Sequence, residues 1–355
     1  MKDMYERLMK KCITLAKKGI GKTAPNPMVG CVVLDKNNEI ISTGYHHKYG
    51  ENHAERDALL KLKNGEEKGG TLIVNLEPCS HYGKTPPCAD LIIERGLKKV
   101  VIGCPDNNPK VNGGGIKKLK DAGIEVVIGV LEEECRSLNE VFFKDVEQNK
   151  TFVALKTATT MDGKIAASSG DSKWITSSKS RDYSKILRKK YGAILTSSST
   201  VIVDNPKMNH KLKVILDREF KTNFDYDIYK SGKIFLVLEN KKFLKNESIP
   251  DNVEILYCKT RGKKFDLDDL MKILFEKGVK SVFVESGGVL SGSFVKGGYV
   301  DKIYQFIAPK ILNDNSGRSC FDGDSVLKIS ECKKFKIVNL KKFGEDVLIE
   351  YKKCD

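Results

Sequence analysis

The 355-residue sequence has one tryptophan, five histidines and ten prolines, and nowhere a run of about 18 apolar residues. The missing run excludes a membrane-spanning helix. The first segment, MKDMYERLMKKCITLAKKG, lacks the apolar stretch and small-residue cleavage site of a secretory signal and reads instead as a charged amphipathic helix. A cytoplasmic protein is the expectation. No internal repeat and no low-complexity segment occurs. The ten cysteines are scattered, and a reducing cytosol would keep them as thiols. Cys12, Cys31, Cys104, Cys135, Cys258 and Cys320 lie in or beside apolar runs and are expected to be small buried side chains. A net charge of +15 raises the question of nucleic acid. The lysines, however, are spread along the chain and alternate with acids, as in KLKNGEEK and DDLMKILFEKGVK, which describes solvated helix faces rather than a phosphate-binding stripe. No nucleic-acid or membrane partner is expected, and the positive balance suits anionic small molecules.

What is present is ample core material, 40% apolar against 31% charged residues, in a length that suggests two domains. The first half alternates helix and strand patterns: the opening helix, VGCVVLD, a helix from Ala54 to Leu62, TLIVNLE, ADLIIERG, KKVVIGC, GIKKLKDAG, IEVVIGV, then a helix over EECRSLNEVFFKDVEQNK. Such alternation predicts an α/β unit, a mostly parallel sheet covered by helices on both faces. The pattern restarts with FVALKTA and runs through SKSRDYSKILRKKYG, AILTSS, LKVILD, KIFLVL, VEILYC, LDDLMKILFEKG, SVFVES and KIYQFIAP, a second α/β unit. The boundary is expected near Glu147–Thr151, giving domains 1–147 and 148–355.

Four of the five histidines lie between positions 46 and 81. Within this region His53-Ala54-Glu55 opens a helix, and Pro78-Cys79 follows a strand, with Cys88 nine residues on after Pro86-Pro87. A catalytic zinc site wants three nitrogen or sulfur ligands and one open position, and His53, Cys79 and Cys88 supply them. A water bound there is acidified and can attack an amidine-like ring carbon. Glu55 is the expected proton carrier, taking the proton from that water and delivering it to the ring nitrogen and the departing ammonia. The usual zinc-deaminase signature spaces its cysteines C-x-x-C; the C-x8-C here implies a bulged loop that brings both sulfurs back to the metal. His81, in that loop, is a rival ligand whose position better suits substrate contact. In the second half, SVFVESGGVLSGSF reads as strand, glycine turn and helix start, whose backbone N–H groups can meet a phosphate. It does not match G-x-G-x-x-G, so a standard dinucleotide-binding fold is not expected.

Taken together, Asn26-Pro27-Met28-Val29-Gly30, His53-Ala54-Glu55, Glu77 to Cys88, Asn108-Pro109, Lys156, Met161 to Lys164, Gly170 to Ser177, Asp204-Asn205-Pro206 and Glu285 to Gly288 resemble the bifunctional riboflavin-biosynthesis deaminase/reductase family of bacteria, over nearly the whole chain. The resemblance implies a cytidine-deaminase-like α/β/α domain followed by a dihydrofolate-reductase-like α/β domain, with Zn²⁺ and NADPH as cofactors and a dimer or larger homo-oligomer. It implies deamination of 2,5-diamino-6-(5-phosphoribosylamino)pyrimidin-4(3H)-one to 5-amino-6-(5-phosphoribosylamino)uracil, then reduction of the ribosyl group to ribityl. By the same resemblance Asn26, His46, His81, Lys84, Asp106 and Asn108 hold the first substrate. Ala158, Trp174, Thr200, Asp204 and the segment Gly287, Gly288, Val289, Leu290, Ser291, Gly292, Ser293 contact NADPH. Lys156, Ser172, Arg188, Met208, Lys211 and Glu285 contact the ribosyl substrate, and Lys156, Asp204 and Glu285 are candidates for the proton donor. Two departures stand out. Asn107 replaces a proline of the family pattern, and Lys211 stands where an arginine is usual, a point charge in place of a guanidinium fork, which would weaken phosphate affinity.

Two alternatives fit parts of the sequence. A nucleoside or tRNA-base deaminase shares H-x-E but leaves the second α/β unit unexplained. A basic binding protein with a structural zinc site would need four protein ligands, and the obvious count stops at three.

Overall fold

Tyr5, Leu8, Met9 and Cys12 are buried, at the spacing that gives a helix a single apolar stripe. The computed structural model describes residues 2–63, 65–82, 86–108, 113–244, 248–323 and 326–354. It opens with helix α1 (Lys2–Ala16) laid against strand β1 (Gly30–Leu34). Side chains such as Leu8 and Met9 stabilise by roughly 1.5–3 kcal/mol each when fully buried. No helix among the described residues is long and apolar enough to cross a membrane.

The chain separates into two units, Met1–Asn149 and Lys150–Asp355. The first continues with β2 (Ile40–Tyr45), α2 (Ala54–Leu59), β3 (Thr71–Leu76), α3 (Cys88–Glu94), β4 (Lys99–Cys104), α4 (Gly114–Asp121), β5 (Glu125–Ile128), α5 (Glu132–Leu138) and α6 (Glu140–Gln148). Its sheet runs β2-β1-β3-β4-β5. β3, β4 and β5 are parallel, but β1 is antiparallel to both neighbours, which corrects the expectation of a mostly parallel sheet for this unit. The reason is local. β2 reads IISTGY, too weakly apolar to stand out as a strand, and it returns from β1 through a tight hairpin. Asp35 shapes the turn: its Oδ1 accepts from Asn37 N at 2.9 Å and Glu39 N at 2.8 Å, while Asn38 takes a left-handed φ of 66°. The helix expected over 133–150 is also two helices, α5 and α6. They part at Asn139, whose Oδ1 accepts from Met28 N at 2.8 Å and whose Nδ2 donates to Met28 O at 2.9 Å.

The second unit contains β6 (Phe152–Thr159), β7 (Lys164–Ala166), α7 (Ser178–Arg188), β8 (Ala193–Ser197), α8 (Ser198–Asp204), β9 (Leu212–Leu216), β10 (Lys233–Leu238), β11 (Val253–Tyr257), the short pair β12 (Thr260–Arg261) and β13 (Lys264–Phe265), and α9 (Leu267–Glu276). It ends with β14 (Ser281–Val284), α10 (Gly288–Lys296), β15 (Lys302–Ile307), β16 (Arg318–Ser319), β17 (Phe335–Phe343) and β18 (Asp346–Lys353). Nine strands form one sheet, β11-β10-β9-β8-β14-β6-β15-β18-β17. It is parallel from β11 to β15, and β18 and β17 then add in antiparallel fashion. Apolar residues fill both faces. On β10, Phe235 and Val237 enter one core cluster and Ile234, Leu236 and Leu238 the other, the two-residue alternation of a strand covered on both sides.

Candidate functional site

The three expected metal ligands converge. His53 is the residue before α2, Cys79 follows β3, and Cys88 is the first residue of α3 after Pro87. His53 Nδ1 lies 3.5 Å from Cys79 Sγ and 3.6 Å from Cys88 Sγ, and the three ligand atoms fall within 4.8 Å of one another. Zinc bonds of about 2.3 Å to sulfur and 2.0–2.1 Å to nitrogen, set at tetrahedral angles, require spacings of this size. The donor set therefore fits a zinc ion. The Cys79 thiol is pushed well down, first by its hydrogen bond with Cys88 and then by that with His53, against the burial that raises it. Cys88, whose backbone N–H also points at Cys79 Sγ at 3.3 Å, is driven the other way by the same contact and by burial.

Glu55 is the second residue of α2, 3% exposed, and burial pushes its carboxyl up to about 7. Its Oε2 has no hydrogen-bond partner among the described residues, an unusual state for a buried carboxylate oxygen unless a ligand completes it. Glu55 faces a cavity of about 420 Å³ that is also lined by His53 and Cys79 and by Asn26, His46, His81, Asp106 and Asn108. Five of the six residues singled out for the first substrate thus share one cavity with the metal centre; Lys84 lies outside the described residues. His81 lines the cavity but is not part of the ligand cluster. His46 Nδ1 meets Asn52 O at 2.9 Å, and Asn26 Nδ2 meets His46 Nε2 at 3.3 Å. This pattern suits a neutral ring with its proton on Nδ1, and burial lowers the His46 pKa accordingly. Asp106 is pushed up to about 6, chiefly by burial.

In the second unit, Arg188 at the end of α7 grips Glu285, which directly follows β14, with Nε–Oε1 at 2.6 Å and Nη2–Oε2 at 2.8 Å. This bidentate pair holds the Glu285 carboxyl below its usual range against the desolvation that raises it. Lys156 on β6 is close enough to feel both partners, and burial lowers its pKa. The structure thus gathers Lys156, Arg188 and Glu285. Ala158 follows two residues on along β6, and Thr200 and Asp204 lie on α8, beyond the end of β8. Ser172 is half-buried, and Trp174, two residues on, is 63% exposed.

Other expected contacts are placed differently. Lys211 precedes β9, whose parallel register sets it at the opposite end of the sheet from Glu285. Met208 is buried in the cluster around Ile194, Val201 and Ile215. The glycine turn does lead from β14 into α10, with Gly287 open to solvent. Gly288 and Gly292 serve packing as well. A Cβ on Gly288 would come 2.2 Å from Ser319 O, and one on Gly292 1.9 Å from Asp322 O. Ser291 and Leu290 turn inward, while Val289 and Ser293 remain accessible.

Comparison with known proteins settles the family. The profile of the cytidine and deoxycytidylate deaminase zinc-binding region matches residues 2–104, and that of the RibD C-terminal domain matches residues 151–349. The riboflavin biosynthesis protein RibD of Aquifex aeolicus is 40% identical over 99% of both chains, and that of Actinobacillus pleuropneumoniae 40% identical over 97% of this chain and 94% of its own. The chain belongs to the RibD family. Among solved structures, a diaminohydroxyphosphoribosylaminopyrimidine deaminase/5-amino-6-(5-phosphoribosylamino)uracil reductase of Thermotoga maritima superposes with a TM-score of 0.87 at 38% identity, covering 99% of both chains. The RibD of Acinetobacter baumannii superposes with a TM-score of 0.87 at 32% identity, covering 100% of both chains.

The geometry of this RibD-family chain also depends on Glu77, Asn75 and Asn139, to which the sequence pattern assigns no role. Glu77 is 4% exposed and its carboxylate accepts three backbone N–H groups, from Asp106 at 3.1 Å, Gly115 at 3.0 Å and Ile116 at 3.1 Å. It therefore joins the strand end that leads to Cys79, the Asp106 segment and the first turn of α4. Asn75, fully buried on β3, accepts from Gly30 N at 2.7 Å and donates to Met28 O at 3.1 Å, and Asn139 grips Met28 from the other side. Asn26 is thus carried on a segment fixed at both its N–H and C=O groups. The one advance signal was an acid and an amide in a run that is otherwise apolar, NLEPC.

Proposed function

We propose that the chain performs two successive reactions on one phosphorylated pyrimidine. The first replaces the C2 amino group of 2,5-diamino-6-(5-phosphoribosylamino)pyrimidin-4(3H)-one by a carbonyl oxygen from water and releases ammonia. The second reduces the ribosyl group of the resulting uracil to ribityl with NADPH. The observation that carries this reading is the convergence of His53, Cys79 and Cys88 beside Glu55, in a chain whose other unit matches the RibD C-terminal domain.

His53, Cys79 and Cys88 would hold the zinc, which when bound supplies an acidified water as nucleophile. Glu55 takes a proton from the attacking water and returns protons to the ring nitrogen and the leaving amine. Asn26, His46, His81, Asp106 and Asn108 hold and orient the pyrimidine in the same cavity, with Lys84 toward its phosphate. In the other unit NADPH supplies the hydride. Ala158, Trp174, Thr200, Asp204 and the Gly287–Ser293 segment seat the cofactor; Ser172, Arg188 and Glu285 seat the ribosyl chain. For the proton consumed in that step we infer Lys156. Arg188 holds Glu285 as a carboxylate, and Asp204 is exposed on α8. Met208 and Lys211 stand apart from this cluster. A cytoplasmic location suits an enzyme that uses free thiols, a phosphorylated intermediate and NADPH. We propose also a homo-oligomer, a dimer or larger, supported by the outer edge strand β17, nine residues long with Ile337, Val338 and Leu340 exposed.

The test follows ammonia release and NADPH oxidation separately. In Glu55→Gln, ammonia release should fall by about 10²–10⁴-fold while reduction of supplied 5-amino-6-(5-phosphoribosylamino)uracil continues. If the zinc-loaded native chain shows neither activity, the assignment fails.

A further inference from the structure

We propose that Arg181 is a positioning residue for the reduction: its guanidinium braces the indole of Trp174 as a flat seat for a heteroaromatic ring of the dinucleotide. The proposal rests on the reading above that sets Trp174 against NADPH. Trp174 is the chain's one tryptophan and is 63% exposed, although burying so large a ring would be strongly favourable. Arg181 Cζ lies 4.3 Å from the ring centroid, well inside cation–π range. The same guanidinium donates through Nη1 to Thr176 O at 2.6 Å. One planar fork therefore fixes the ring and the backbone two residues beyond it.

Two further anchors hold the segment. Lys310, after β15, donates through Nζ to Trp174 O at 2.7 Å. Asp346, the first residue of β18 and 3% exposed, accepts through Oδ2 from Ser177 N and Ser177 Oγ at 2.7 Å each and from Ser180 Oγ at 2.6 Å. The exposed indole thus sits on a segment, Trp174 to Ser177, held at Trp174 O, Thr176 O and Ser177 N by three separate side chains, so ligand binding has less to order. A guanidinium stacked on the ring also fixes which part of its surface stays open. Lysine could supply the charge but not the planar contact.

Because Trp174 is the chain's single indole, its fluorescence reports on this site alone. In the native protein, titration with NADPH should quench the emission saturably, by energy transfer to the reduced nicotinamide. Arg181→Ala should raise both the fluorescence Kd and the KM for NADPH about 5- to 10-fold and leave the kcat of reduction within about twofold. Ammonia release, which belongs to the other unit, should be unchanged. Arg181→Lys should recover less than half of the lost affinity. Native values of Kd, KM and emission in Arg181→Ala would overturn the proposal; should that variant fail to fold, native values in Arg181→Lys would do the same. If native emission is indifferent to NADPH while reduction proceeds, the contact between Trp174 and the cofactor is itself wrong, a failure distinct from that of Arg181.

Discussion

Gly115 shows how closely single atoms are set around the metal centre. A Cβ there would come 1.9 Å from Pro78 O and 3.2 Å from Glu77 Oε1, so the first turn of α4 sits against the turn that presents Cys79. Gly115→Ala must push the two apart and break the Glu77 hydrogen bonds. We expect zinc per chain after purification, measured by atomic absorption, to fall together with ammonia release. Unchanged zinc content and rate would mean that α4 moves without disturbing Cys79. Lys213 offers a test of a different kind. It is fully buried on β9, donating to Ile228 O and, at 3.5 Å, to Ser231 Oγ. Desolvation lowers its pKa from 10.5 to about 8. Below that value both folded and unfolded chains hold the proton, and the folded state bears the full cost of a buried charge. Between about 8 and 10.5 the unfolded chain binds more protons than the folded one, so this group makes stability rise with pH across that window. Urea denaturation across the window should show the rise in the native protein and a smaller slope in Lys213→Met; parallel slopes would show that Lys213 is not desolvated.

Among the elements, α7 depends most on a distant partner. Ser177 caps it in the usual way, with its Oγ toward Ser180 N. Asp346, which closes off that end, takes three donors at once. Asp346→Ala leaves Ser177 N, Ser177 Oγ and Ser180 Oγ without this acceptor, and the expected loss is about 2–3 kcal/mol in urea denaturation. A loss below about 0.5 kcal/mol would mean that water replaces the carboxylate. Elements with strong periodicity were legible in advance: α1, α9, the apolar strands β3, β4, β8, β10 and β14, and the turn into α10. Strands without such a pattern were not, β2, β17 and β18 among them. β2 is half-exposed, with Ser, Thr and Gly in its span. β17 is an exposed edge rich in lysine, and β18, which alternates buried and half-buried residues over Asp346–Tyr351, makes sense as a strand only beside its neighbours β15 and β17. Asn139 likewise reads as an ordinary helical residue, and the break it makes follows from a bond to Met28.

At the scale of the whole molecule, each unit has core clusters of its own, and among the described residues the proposed metal ligands lie in the first unit. Removing zinc with a chelator should therefore abolish ammonia release and leave the reduction of supplied uracil intermediate near its native rate, with zinc restoring the first activity. Loss of both activities on chelation, and their joint return with zinc, would show that the metal also supports the reductase.

The proposed zinc site was legible in the sequence. His53, Glu55, Cys79 and Cys88 are set by the start of one helix, the end of one strand and the start of the next helix, and such geometry is local. The two-domain α/β plan was legible for the same reason, since periodicity is a property of neighbouring residues. Only the tertiary structure decided what holds these parts in place: Glu77 on Gly115, 38 residues away, Asn139 on Met28, 111 away, and Asp346 on Ser177, 169 away. It also decided that Lys211 stands at the far end of the sheet from Glu285. Which backbone groups a buried acid or amide meets depends on which strands pair and which faces are covered, and that follows from burying the whole set of apolar faces at once, which no local pattern of residues records.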